Sequence, residues 1–211
     1  MCEATPAGSA LTGRSEILYN PRMDIVPRPV TFTRMQDGSP EEFATVKLAE
    51  RAQKAELPRR IIEALTAITD EGVGGYQIDR TQHCLQSATR AFRAGEETDY
   101  VVAALIHDIG DVLAPYSHGE LAAAVIKPFV SPRITWILKY HPIFSMYYYA
   151  HFVGGDRNAR DRFRGHEWFD DAVRFCENYD ENCFDPGYDN LPMAHFEPMV
   201  HEVFGREPSY A

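Results

Sequence analysis

Ala104–His118 reads ALIHDIGDVLAPYSH. An apolar helical run reaches His107 and Asp108, then gives way to glycine, proline and a second histidine. Burying an imidazole is costly and burying a carboxylate more so, so this pair needs partners from elsewhere in the chain. Upstream, Thr98 starts the helix that ends at the pair. Downstream, Ser117 and Glu120 have the spacing of a capping box and open another helix at His118.

Working outward, helical periodicity continues on both sides. Asp79 is placed to cap a helix carrying His83, Leu85, Ala88 and Phe92, closed by Gly95. Before it, Pro58 opens a helix with Ile61, Ile62, Leu65 and Ile68 at helical spacing, broken by Gly72, Gly74 and Gly75. Ser39-Pro40-Glu41-Glu42 is a further capping box with proline at the first helical position. On the C-terminal side, Ser131-Pro132 opens RITWILKYH, which ends near His141, and further helices are expected at about 142–152, 156–164, 166–179 and 195–204. No alternating strand pattern and no repeat period is visible. The pattern predicts an all-α domain of roughly eight or nine helices over residues 39–211, preceded by an extended arm over 1–38.

Bulk properties narrow the function classes. With 211 residues, the chain is long enough for one compact domain with a substantial core. It is 45% hydrophobic and 25% charged, with a net charge of -10, which argues against a sequence-independent grip on nucleic acid or on an anionic membrane. The start lacks a basic region followed by an apolar one, and no apolar run approaches the roughly 20 residues needed to span a bilayer. Cys2, Cys84, Cys176 and Cys183 form no metal-type pair, and Cys84 and Cys176 fall in apolar helical patterns as packed thiols. A cytoplasmic location is the expectation.

Any one histidine on an apolar helix face is as a rule a core residue with a satisfied hydrogen bond. The set is another matter. His83, His107, Asp108 and Asp180 together make an N/O site suited to a transition metal, and His118 and His141 can hold a second ion with Asp108 bridging the two. A bridging carboxylate explains the buried pair: Asp108 stays an anion between two cations, and His107 stays neutral as a ligand.

In this order, with HDIG at its centre, the chain resembles the HD-domain superfamily in its six-ligand dinuclear form. Residues from about 60 to 205 are similar to the HD-domain diiron oxygenases, through HCLQSATRA, VVAALIHDIGD, SHGELAAAVI, KYHPIF and NYDENCFDP. These include the dioxygenases that cleave 1-hydroxy-2-aminoethylphosphonate or its trimethylammonio analogue and, more remotely, myo-inositol oxygenase. The resemblance implies an HD-domain helical bundle with His83, His107, Asp108, His118, His141 and Asp180 as ligands of two iron ions, Fe(II) and Fe(III). It also implies a small organophosphonate and O2 as substrates, with C–P cleavage to a carboxylic acid and phosphate.

Two other readings stand beside it. Dinuclear HD phosphohydrolases, which use other divalent metals on a nucleotide or small phosphate ester, often carry a lysine after the pair; that position is Asp111 here, an anion that suits a cationic substrate group better. A non-catalytic regulatory HD domain need not retain a costly dinuclear site. In the aminophosphonate enzymes a tyrosine and a glutamate precede the first histidine. Here EGVGGYQIDRTQH offers Tyr76 as the nearest gate, at different spacing, and no such glutamate. That shifts the expectation to a quaternary ammonium substrate, 1-hydroxy-2-(trimethylammonio)ethylphosphonate, giving glycine betaine. Tyr147, Tyr148 and Tyr149 are then candidates for a cation–π cage, and Arg157 and Arg160 for the phosphonate.

Overall fold

A computed structural model describes residues 29–68 and 75–209. The expected arm over 1–38 lies largely outside this range, as do the breaks at Gly72 and Gly74. The chain divides into two units, Met1–Glu50 and Arg51–Ala211. In the first, the capping box at the start of α1 (Pro40–Ala55) is present: the Glu42 N–H donates to Ser39 Oγ at 3.2 Å and the Ser39 N–H to Glu42 Oε2 at 3.0 Å. The other Glu42 oxygen accepts from the backbone and hydroxyl of Thr31 at 2.7 and 2.9 Å.

The second unit carries α2 (Leu57–Ala67), α3 (Arg80–Arg93), α4 (Thr98–Ile106), α5 (His118–Ile126), α6 (Pro132–Tyr149), α7 (Phe169–Tyr179) and α8 (Met193–Phe204). No strand occurs among the described residues, so the expected all-α bundle is what they form. Helix α4 is apolar on all sides, and every residue from Tyr100 to Ile106 is buried. It packs against α3, α6 and α8; α3 also meets α7, and α6 meets α5 and α7. Each large apolar side chain so buried contributes about 1.5–3 kcal/mol, so the element running directly into His107-Asp108 is also the centre of the core. Cys84, Cys176 and Cys183 are buried free thiols, as expected for the first two.

Three local expectations are corrected. Asp79 and Ser131 do cap α3 and α6, accepting from Gln82 N at 2.7 Å and Ile134 N at 3.4 Å, but Ser117 makes no side-chain cap to α5. Next, α6 does not end near His141; it continues through Pro142 to Tyr149. Proline lacks the N–H that would bond the Leu138 carbonyl one turn back, and that carbonyl accepts from His141 Nδ1 instead, at 2.7 Å. Finally, the helix expected at 156–164 is only a 3-10 turn at Ala159–Phe163, after another at Ala150–Val153.

Two glycines set the spacing around the pair. A Cβ on Gly110 would lie 2.7 Å from the His118 carbonyl oxygen, so the turn after the pair folds back onto the start of α5 only with glycine there. A Cβ on Gly119 would lie 2.8 Å from the Leu138 carbonyl oxygen and 2.9 Å from the Pro142 ring, so α5 and α6 touch backbone to backbone beside His118 and His141.

Candidate metal centre

The helix ends deliver six side chains to one place. His83 comes from the first turns of α3, His107 and Asp108 follow α4, and His118 starts α5. His141 comes from the middle of α6 and Asp180 follows α7. All but His118 are buried. Among the described residues, three groups bring ligand atoms within 4.8 Å of one another: His83, His107 and Asp180; His107, Asp108 and His141; and Asp108, Asp111 and His118. These clusters are able to hold metal.

Backbone carbonyls fix how the imidazoles face. His83 Nδ1 meets the Cys183 carbonyl at 2.9 Å, His107 Nδ1 the Ala104 carbonyl at 2.8 Å, and His141 Nδ1 the Leu138 carbonyl at 2.7 Å. A carbonyl oxygen only accepts, so each Nδ1 carries a proton, and each ring when neutral presents its Nε2 lone pair inward. Against burial, Asp180 and Asp108 pull the His83 imidazole up and Asp108 pulls His141 up. His83 Nε2 and His107 Nε2 then face each other at 3.0 Å. Two lone pairs at that distance repel unless a proton is shared between the rings or a metal ion draws on both. This donor set fits a metal ion, and the carbonyl contacts are the outer partners that metal-bound histidines use.

Asp108 divides its two oxygens between the halves of the site. Oδ2 lies 3.5 Å from the Nε2 atoms of both His83 and His107. Oδ1 lies 3.3 Å from His141 Nε2 and 3.5 Å from His118 Nε2. Asp180 Oδ1 closes the first half, 3.5 Å from His83 Nε2 and 3.8 Å from His107 Nε2, while its other oxygen accepts from the Ser145 hydroxyl. Burial pushes the His107 imidazole down to about 4 against the pull of Asp108 and Asp180, which leaves it neutral. Burial would raise the Asp108 carboxyl, but His107, His141, His83 and Arg80 outweigh it and hold the group well below the carboxylate range. Asp180 is likewise held down to about 2 despite burial, by His83 and its neighbours.

Asp111 is not the free anion the sequence suggested. Its Oδ1 is 3.1 Å from His118 Nδ1, which turns His118 Nε2 toward Asp108, and its Oδ2 is 2.8 Å from Arg80 Nε. A second ion pair joins Arg80 Nη1 to Asp108 Oδ2 at 3.0 Å. Arg80 was not singled out by sequence reasoning, since an arginine in the first turn of a helix reads as solvated surface.

A cavity of about 380 Å³ opens over this centre. Arg80, Asp111, Ser145 and Glu181 line its polar side, beside the Asp and His groups. Tyr76, Tyr148, Tyr149 and Phe184 supply aromatic walls. Tyr76 stacks on Phe184 at 4.7 Å and Phe184 on His83 at 4.4 Å, so Tyr76 stands one ring away from the centre. Tyr147 is absent from the lining, as are Arg157 and Arg160. The two guanidinium groups lie over the Tyr147 ring, at 4.3 and 3.6 Å from its centroid, and form their own cluster. Successive helical residues point about 100° apart, so three consecutive tyrosines do not all face one cavity.

The loop carrying Asp180 and the Cys183 carbonyl is pinned to α3 by Gln86. Its side-chain amide donates to the Asp185 carbonyl at 2.9 Å and accepts from the Asp185 N–H at 3.2 Å. Gln86→Leu leaves both backbone groups unpaired, at about 1–3 kcal/mol each. We expect a lower Tm together with reduced metal content in this variant. Unchanged values of both in thermal unfolding and metal analysis contradict the assignment.

Comparison with known proteins agrees with this architecture. Residues 80–169, from α3 to the start of α7, match the HD domain family. A similar protein is the 1-hydroxy-2-(trimethylamino)ethyl phosphonate dioxygenase (glycine-betaine-forming) of Leisingera caerulea. It is 31% identical over 83 residues, which cover 34% of this chain. The match spans less than half of that relative's length, 42%. No helix among the described residues is long and apolar enough to cross a membrane.

Proposed function

We propose that this protein is an HD-domain diiron oxygenase that cleaves the C–P bond of a small 1-hydroxyphosphonate with O2. The substrate that best fits is 1-hydroxy-2-(trimethylammonio)ethylphosphonate, giving glycine betaine and phosphate. The observation that carries the reading is the pair of inward Nε2 atoms 3.0 Å apart beside an Asp108 whose two oxygens face different histidine pairs. His83, His107, Asp108 and Asp180 would hold one iron, and Asp108, His118 and His141 the other. When bound, such a pair supplies redox chemistry with O2 and electrostatic attraction for the substrate hydroxyl and phosphonate oxygens.

The chain's own residues divide the remaining work. The Cys183, Ala104 and Leu138 carbonyls hold three imidazoles in the ligating tautomer. Asp111 does the same for His118. The Ser145 hydroxyl orients Asp180. For the cationic end of the substrate, Tyr76, Tyr148, Tyr149 and Phe184 offer ring faces and Glu181 a carboxylate. Glu181 stands in the cavity wall, so a cationic substrate has both kinds of partner. Tyr76 in this position can limit access to the centre.

One observation favours the second reading, a metal-dependent phosphohydrolase. The Asp111 charge that argued against a phosphate is taken up by Arg80 and His118. Oxygen dependence separates the two. We expect the purified holoenzyme to release phosphate from the trimethylammonio substrate in air, with matching O2 consumption, and to stop under anaerobic conditions. Release without oxygen, or efficient ester hydrolysis with redox-silent metals, overturns the oxygenase reading.

A further inference from the structure

The cavity over the centre is rich in carboxylates, with Asp108, Asp111, Asp180 and Glu181 in its walls, and Arg80 is the guanidinium among its lining residues. The Arg80 side chain is 28% exposed, so it is part of an open wall. Its described ion pairs engage Nε with Asp111 and Nη1 with Asp108. A guanidinium has five N–H groups in a planar fork, so these two contacts leave donors available on the remaining edge. Its carbon lies 5.6 Å from the centroid of the Tyr76 ring, which limits how the plane can turn.

We infer that Arg80 is the receptor for the oxyanion of the substrate, held in place by Asp111. This rests on the proposed two-metal centre. With cations bound, the Asp108 oxygens face metal as well as Arg80, and the pull of Asp108 on the guanidinium weakens. Asp111 keeps Nε, which aims the free edge into the cavity. A phosphonate, phosphate or carboxylate oxygen pair matches that edge, as two parallel N–H···O bonds to a planar fork. Asp111 thus acts as the positioning partner of Arg80, and the acidic residue after HDIG serves anion binding instead of opposing it. The cluster of Arg157 and Arg160, which sequence reasoning gave this role, is spent on Tyr147.

The test uses metal-loaded protein and inorganic phosphate as the probe, with metal content and the phosphate Kd measured for Arg80→Gln and Arg80→Lys. Loss of a charge-assisted pair of hydrogen bonds weakens binding about ten- to hundred-fold. We expect that increase in Kd for Arg80→Gln with wild-type metal content. Arg80→Lys recovers part of the loss, because an ammonium keeps the charge without the fork. With the substrate, KM rises more than kcat falls. Should Arg80→Gln lose its metals, Arg80→Lys decides: metals kept and phosphate weakened supports the inference. Wild-type phosphate binding in either metal-loaded variant overturns it, and so does metal loss in both, which makes Arg80 only a structural partner of Asp108. Phosphate binding is read without turnover. A protein that consumes no O2 with the phosphonate yet binds phosphate through Arg80 refutes the reaction and leaves this assignment standing.

Discussion

Asp108→Ala is expected to strip most of the metal from both halves of the centre and to lower turnover by more than about a hundred-fold. That is beyond the ten- to hundred-fold typical of losing an outer partner. The reason is the way its oxygens are shared. Oδ1 is the carboxylate that His141 and His118 have in common, at 3.3 and 3.5 Å, so without it that half keeps imidazoles and no shared anion. Oδ2 is one of two carboxylate oxygens facing His83 and His107, and its loss leaves Asp180 alone to balance the charge of an ion there. The fold should survive, because α4 and its apolar neighbours do not depend on this side chain. Far-UV circular dichroism is therefore expected to match wild type while metal analysis does not. Asp189→Ala is the control: its side chain is 95% exposed and pairs with Arg93 at the surface, so metal content should not change. Full metal content with full activity in Asp108→Ala refutes the assignment of the centre.

The reasons why some of this centre could be read from the sequence, and some could not, are physical. Ligand side chains are the chemistry itself, so an HD pair flanked by histidines and a distant aspartate in helical context can be recognised as a set. The helical bundle was legible for a related reason. Helix α4 is apolar on every face and admits no other environment than a core. The partners that orient the ligands are a different matter. Three of them are backbone carbonyls, which every residue possesses, so nothing in the letters marks Cys183, Ala104 or Leu138. A helix was expected to end near His141, but α6 runs on through Pro142, whose missing N–H releases the Leu138 carbonyl to His141. Consecutive tyrosines look alike in a sequence but cannot share one face of a helix. Tyr147, Tyr148 and Tyr149 are consecutive on one helix, and only the latter two line the cavity. Glu181 and Phe184 were passed over because they lie in a loop with no periodicity, where position is set by the Gln86 clamp on Asp185. Arg80 and Asp111 show the remaining limit. A charge in a sequence has a sign but no partner, and Asp111 alone suggests repulsion of phosphate while the pair suggests the opposite.

Gly119→Ala separates the two halves of the centre, and its effect follows from a single added methyl group. The new Cβ would meet the Leu138 carbonyl oxygen at 2.8 Å and two Pro142 ring carbons at 2.9 Å. Backbone and a fixed ring cannot swing aside as a flexible side chain does, so α5 and α6 must part. Overpacking of this kind costs about 1–3 kcal/mol, which should appear as a lower Tm. Its functional cost should be larger. His118 is the residue before Gly119, and its ring centroid is 5.1 Å from that of His141 on the opposing helix. Moving the helices apart draws His118 Nε2 away from Asp108 Oδ1 and disturbs the Leu138 carbonyl that fixes His141. His83, His107 and Asp180 stand on α3, the end of α4 and the end of α7, and none of these crosses the α5–α6 contact. The expected result is loss of metal from the His118/His141 half with retention in the other. Metal analysis should then approach one ion per chain, with turnover reduced at least about a hundred-fold, because the proposed reaction needs both ions to hold substrate and O2 together. Two ions per chain with wild-type turnover in Gly119→Ala would show that the close approach of α5 and α6 does not set the spacing of the second half. Loss of both ions would tie the two halves together more tightly than their separate supports imply.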